Sequence, residues 1–426
     1  MELSSLNYLR PQSNHAWQTI NQGQSFSVPG EGDMKIGSPQ IMQENDHLFY
    51  RVAVETVTGK ETLWYRLDKS FGDLVTTSCD APLVGLLIPA MASGEDIHID
   101  GVISERLLYN LSRPYQTLLR HVIPSLRPVR IFADKVCGSR ACPPAGVATG
   151  FSGGIDSYCA LADNFYADSL QGFKVTHLLF NNVGSHGKGG EGLFQKRYER
   201  LAPSAERLGL PFVMVNSNLG TFYGKGLSFA KTHTPRNASV ALLLQGGIGR
   251  YMYASAFSYA NVFVGRAKEI AYTDTISLPL LSTETLDAFS IGSEHTRVEK
   301  TLRVAEVPES YGSLDVCTNT LHVAGYTNCS TCPKCLRTLA TLEIAGLLER
   351  YAGAFNLDAY RRHRSMFFAE LIGNCDPFHK EIIQFSRQRD YPYPVASRLL
   401  HALRIHSLTS FTERILRKRK KPPVDR

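Results

Sequence analysis

The chain has 426 residues, 43% of them hydrophobic and 20% charged, which excludes disorder over most of its length. Lys and Arg number 46 against 39 Asp and Glu, a net charge of +7, and five of the cations form Arg417-Lys418-Arg419-Lys420-Lys421. The excess is therefore a property of the tail, and a solvated end is favoured over a nucleic-acid or anionic-lipid contact. No apolar run approaches the ~20 residues of a membrane span. Residues 1–5 lack a basic stretch leading into an apolar core, so no secretory signal is read. A cytoplasmic protein of two or three structural units is expected. In that setting the nine cysteines read as thiols or metal ligands, not as a disulfide framework.

Residues 1–45 are polar and show no clear period. Segments 47–57 and 61–67 flank Thr58-Gly59-Lys60 and read as a hairpin. A strand is expected at 96–100, a helix capped by Ser104 and running to about 123, and another strand at 129–133. Residues 1–140 are thus read as an N-terminal α+β domain, followed by a linker at Pro143-Pro144. Over residues 141–350 strands alternate with helices. The expected strands are 146–151, 175–181, 212–216 and 261–265; the expected helices are 156–167, 193–208 and 238–259. Alternation of this kind specifies an α/β unit, a parallel sheet with helices on both faces. Residues 351–426 read as a helical extension, with a regular apolar stripe at 336–348 before it and a last amphipathic helix from 396 to about 416.

Chemistry concentrates where the first of these strands ends, in Ser152-Gly153-Gly154-Ile155-Asp156-Ser157. A glycine turn between strand and helix aligns backbone N–H groups for phosphate. Ser152 and Ser157 add hydroxyls, and Gly153 and Gly154 permit close approach of an anion. Asp156, in the first helical turn, suits magnesium. No Gly-x-x-x-x-Gly-Lys-Ser/Thr occurs, which argues against a Walker-type kinase or ATPase. Gly187-Lys188-Gly189-Gly190-Glu191-Gly192 matches the dinucleotide spacing, but the following strand ends in Asn and Ser without the acid a ribose requires. It reads as a loop.

A second constellation is Cys317 with Cys329-Ser330-Thr331-Cys332-Pro333-Lys334-Cys335. Three cysteines at two-residue gaps and a fourth upstream suit a tetrahedral structural zinc site with no open position. An iron–sulfur cluster is the alternative. Lys334 and Arg337 would offset the thiolate charge. Cys137 and Cys142 make a looser pair read as structural or incidental, and Cys159 reads as core.

The loop at 152–157 resembles the pyrophosphatase loop of the N-type ATP pyrophosphatases, which cut ATP between the α and β phosphates. Together with the four cysteines and Thr234-Pro235-Arg236-Asn237, it resembles the 7-cyano-7-deazaguanine synthase-like branch of that superfamily over residues 146–345. The family's substrate segment is altered here to Ala271-Tyr272-Thr273-Asp274-Thr275-Ile276, so the substrate is left open. The resemblance implies a Rossmann-like, adenine nucleotide α-hydrolase-like fold with ATP, Mg2+ and Zn2+. Ser152, Asp156, Ser157 and Arg236 would then be catalytic. Residues 152–157, Phe180, Asn181, Arg236, Asn237 and Gly265 would hold the nucleotide. Arg236 is expected to open a helix opposite the loop, with Asn237 as its cap or as a ligand contact. Arg297 is expected on a solvated helix face, and Lys300 either there or on pyrophosphate. The implied activity is adenylation of a small carboxylate- or amide-bearing substrate, in a homodimer or a multi-protein system. The alternatives are tRNA or nucleobase modification and a nucleotide-binding subunit of a larger complex, for example in defence.

Overall fold

A computed structural model describes residues 32–138, 142–187, 190–224, 226–317, 325–372 and 376–403. The basic tail and Cys375 lie outside the described residues, as does most of the last expected helix. None of the described helices is long and apolar enough to cross a membrane.

The chain opens with β1 (Met34–Ile36), β2 (Gln40–Glu44) and the expected hairpin, β3 (His47–Thr56) and β4 (Gly59–Asp68). Tyr50, Val52 and Val54 alternate inward on β3, and Leu63, Tyr65 and Leu67 do so on β4, the period-2 pattern of a half-buried pair. Next come α1 (Asp80–Ser93), β5 (Ile97–Ser104), α2 (Glu105–Ser112), α3 (Pro114–Val122) and β6 (Ile131–Cys137). The single helix expected from Ser104 is two helices, because Pro114 bars helical geometry at Arg113 (φ −144°, ψ −61°). Ser104 does stand before α2, but its hydroxyl donates to buried Asp80 at 2.7 Å instead of capping the helix.

The second part runs β7 (Gly146–Gly150), α4 (Ile155–Leu161), β8 (His177–Asn182), α5 (Glu191–Leu208), β9 (Phe212–Ser217), α6 (Phe229–Leu243) and β10 (Ile248–Ala254). It continues with α7 (Asp274–Ser277), β11 (Asp287–Ile291), α8 (Arg297–Val304) and α9 (Ser310–Ser313). The helices α10 (Pro333–Ile344), α11 (Leu357–Leu371), α12 (Pro377–Gln388) and α13 (Val395–Ala402) follow. Three of the expected strands hold. The helix expected at 238–259 instead ends at Leu243, because Gly246 and Gly247 turn the chain against Leu74, where a Cβ on Gly246 would lie 2.8 Å from the Leu74 carbonyl oxygen. Its second half is strand β10, between β11 and β7 in the sheet, and the strand expected at 261–265 is loop. Gly265 therefore closes no strand.

All eleven strands of the described residues share one mixed sheet in the order β11-β10-β7-β8-β9-β4-β3-β1-β5-β6, with β2 beside β3. The stretch from β11 to β9 is parallel. Along β8, Leu179 faces a core shared with α1 and α6, while Leu178 and Phe180 face a core shared with α4 and α5. Helices thus cover both faces, as the sequence indicates. The N-terminal strands do not form a sheet of their own: β4 pairs antiparallel with β9 through Tyr65↔Ser217 and Arg66↔Asn216.

Candidate active site and metal centre

The loop after β7 leaves the sheet at the carboxyl edge of the parallel strands, where α/β sheets bind ligands. Ser152 is exposed, and Gly153 takes a left-handed φ of +73°. A Cβ on Gly153 would come 2.5 Å from Leu201 Cδ2. Its carbonyl accepts the Asp315 N–H at 2.7 Å, so the loop is held from the far side by the segment that leads to Cys317. Ser157 is buried and donates to the Gly154 carbonyl at 3.0 Å, closing the turn. Gly153→Ala is expected to cost about 1–3 kcal/mol through strain and contact, as read from the urea midpoint.

Asp156 is the loop's charged centre. Its Oδ1 accepts from Arg297 Nη1 at 2.9 Å and from Lys300 Nζ at 3.1 Å. Both cations come from α8, which begins with a capping box of Thr296 and Glu299 and packs on α4. Lys300 is 1% exposed and also donates to the Ser255 carbonyl. Arg297 Nη2 donates to the Ala256 carbonyl at 2.9 Å. The solvated face expected for Arg297 is therefore overturned, because positions 297, 300 and 304 fall on the helix face turned towards α4. Burial alone would raise the Asp156 carboxyl, but Arg297 and Lys300 outweigh it and hold it below the usual carboxylate range.

A cavity of about 510 Å³ opens from this loop. Ser152, Gly154, Asp156 and Phe180 line one part of it. Lys334 and Arg337 of α10 and Phe378 of α12 line another. The Arg337 guanidinium lies 4.5 Å from the Phe378 ring centroid, and its Nε is buried without a hydrogen-bond partner among the described residues. Tyr272, also in the wall, stacks on Phe257 at 3.9 Å. The size and the mixture of apolar walls with a few charges are those of a small-molecule site.

Other expected site residues sit elsewhere. Arg236 lies in the middle of α6, not at its start, since the helix begins seven residues earlier at Phe229 and Pro235 is accommodated within it. Its guanidinium is buried, 3.4 Å from the Tyr223 ring centroid, and donates to the Val183 and Leu227 carbonyls at 3.2 and 3.4 Å. It also lies against Gly184, where a Cβ would be 2.6 Å from Nη1. Arg236 is not in the wall of the loop's cavity, and neither are Asn181, Asn237 and Gly265. Asn237 caps nothing; it donates to the His233 carbonyl and accepts from Asn181 Nδ2 at 3.2 Å. Phe180 does line the cavity and stacks on Phe194 at 5.0 Å.

Asp274 is 1% exposed and accepts the Thr234 hydroxyl at 2.7 Å, with Oδ2 left without a partner among the described residues. Burial pushes its carboxyl up to about 8. An unfolded carboxyl titrates near ~4, so between these values the folded chain keeps a proton that the unfolded chain has lost. Stability from this group is full at low pH and falls as pH rises from about 4 to 8. Asp274→Asn should leave the urea midpoint at pH 4 nearly unchanged and raise it at pH 8.

The four cysteines converge. Sγ of Cys332 lies 3.4 Å from Sγ of Cys335, which lies 3.9 Å from Sγ of Cys329. All four sulfurs fall within 4.8 Å of one another. A tetrahedral zinc with bonds of ~2.3 Å requires edges of about 3.8 Å, so the donors present suit such an ion. The Cys329 N–H points to Cys317 Sγ and the Cys332 N–H to Cys329 Sγ, at 3.4 and 3.3 Å, which offsets thiolate charge. Ser330, at φ +62°, makes the tight turn that permits this. Cys335 and Leu339 pack into the core shared with α4, so the centre joins α10 to the loop's helix. Cys137 and Cys142 are both exposed, and the residues between them include some outside the described set.

Comparison with family models, curated proteins and solved structures returns no match. Sequence reasoning missed Asp315 and Phe378 as parts of the site. It also read Lys334 and Arg337 only as counter-charges, although 334, 337, 338 and 341 recur at helical spacing and all line the cavity.

Proposed function

We propose that the protein is an ATP-dependent adenylating enzyme that converts ATP to AMP and pyrophosphate and activates a carboxylate or amide oxygen. The observation that carries this reading is the convergence of Arg297 and Lys300 on Asp156 of the glycine loop. Phosphoryl transfer needs positioning and charge neutralisation more than a nucleophilic side chain. A loop of glycines, two cations and one carboxylate can provide both. Asp156 is the residue that would hold magnesium, which neutralises phosphate charge when bound. Phe180 would lie towards the base, and Lys334 and Arg337, without carboxylate partners in the cavity wall, would receive an anionic acceptor. The four cysteines would hold zinc in a structural role.

Base modification by thiol transfer is less well supported. The cysteine that lines the cavity, Cys317, belongs to the metal group. The test is to incubate the protein with ATP, magnesium, ammonia and a panel of small carboxylic acids, and to resolve the nucleotides produced. AMP and pyrophosphate are expected. ADP and phosphate would sink the reading. Tight ATP binding with no turnover on any acid would favour a nucleotide-binding subunit.

A further inference from the structure

We propose that Cys159, Asp163 and His295 form a second metal site, for a zinc-like divalent cation, behind the phosphate loop. Cys159 and Asp163 are four residues apart on the helical path that starts at α4, so their side chains stack on one face. His295 arrives from the turn before α8. One donor atom from each falls within 4.8 Å of the others. Asp163 Oδ2 is 2.9 Å from His295 Nε2 and 3.6 Å from Cys159 Sγ. Tetrahedral zinc with ordinary bonds to nitrogen, oxygen and sulfur requires about 3.3 Å and 3.5 Å for these two edges. The two edges that meet at Asp163 are thus within about 0.4 Å of those a tetrahedral ion requires, and the third pair lies within 4.8 Å; a water would complete the set.

The surroundings fit the same reading. Asp163 Oδ1 is occupied by Arg303, at 2.7 Å from Nε and 2.6 Å from Nη2, which fixes the carboxylate and leaves Oδ2 for the ion. Such outer hydrogen bonds commonly orient metal ligands. The backbone widens into a π-turn over Ala162–Tyr166, a feature frequent at functional positions. Asp163 and His295 are half-buried and give an entry path, while Cys159 closes the inner end. Binding would release the Cys159 thiol proton to solvent. One thiolate and one carboxylate then balance the two positive charges of the cation. Because His295 stands two residues before Arg297, an ion here would fix the entry to α8, whose cations grip Asp156.

The test is metal stoichiometry on the full chain, stripped with a chelator and dialysed against Co2+ and, separately, Zn2+. His295→Gln and Cys159→Ser are each expected to bind one equivalent fewer than the wild type, whatever the four-cysteine centre holds. His295 is chosen because its side chain is 24% exposed and its replacement should fold; matching circular dichroism spectra establish that. Cys329→Ser should lose a different equivalent, so that combined with His295→Gln the losses add. Equal stoichiometry in wild type and His295→Gln would overturn the proposal and leave the three residues as a hydrogen-bonded brace.

Discussion

Under the proposed adenylating activity, Asp156→Asn is expected to lower AMP formation from ATP by about 10²–10³-fold, the scale of losing one preorganised electrostatic contact in an active site. The amide keeps the shape but removes the charge on which Arg297 and Lys300 converge, and with it the residue suited to magnesium. Lys300 would stay buried against the Ser255 carbonyl and a neutral amide oxygen, and removing the opposite charge of a buried pair costs up to about 3–5 kcal/mol. Activity and stability must therefore be read separately, by nucleotide chromatography and by urea unfolding. The pH dependence gives an independent check. The folded Asp156 carboxyl lies below its ordinary value, so the stability it adds is present above about 4 and is lost as pH falls through the folded value. In Asp156→Asn that acid-side loss should be smaller, while metal content at the cysteines stays unchanged.

Cys332→Ser, or prolonged chelation of the wild type, is expected to destabilise α10 and the helices packed on it by about 5 kcal/mol or more, since structural zinc contributes directly to folding. Without a cation, the hydrogen bond shared with Cys332, burial and the neighbouring thiols keep the Cys335 thiol well above its ordinary value. In Cys332→Ser the loss should appear as one metal equivalent fewer and an early transition in thermal melts. It should also weaken ATP binding, because Cys317 lies two residues beyond Asp315, whose N–H holds the Gly153 carbonyl. Full retention of nucleotide affinity after metal loss would show that the loop does not depend on the centre.

What the sequence made legible were features written in contiguous residues. The loop at 152–157, the β3–β4 hairpin, the parallel strands β7, β8 and β9, and the cysteine group were all readable from local pattern. Boundaries controlled by distant contacts were not. Gly246 and Gly247 break the helix because Leu74 lies against them, and no local signal records Leu74. The roles of Arg297 and Lys300 depend on which face α8 turns to α4, which an i, i+3 spacing alone leaves undecided. Arg236 misled because Thr-Pro-Arg-Asn reads as a helix start, whereas tertiary packing carries α6 straight through Pro235. The strands β1, β2 and β11 were missed: β1 has only three residues, and β2 is exposed at most positions.

The β4–β9 seam sets how this chain can be divided. A piece beginning at residue 142 would carry the loop, the cavity and both groups of metal-ligand candidates, but it would leave β9 as a bare edge. The Trp64 and Thr62 backbone groups that bond Ser217 and Asn218 would be gone, and the surface of α6 that packs on α1 would face water. Such an edge recruits other chains. Truncation is thus a poor route to a minimal form of the chain. The two parts expressed as separate chains should instead co-purify as one particle through the β4–β9 seam and the α1–α6 contact.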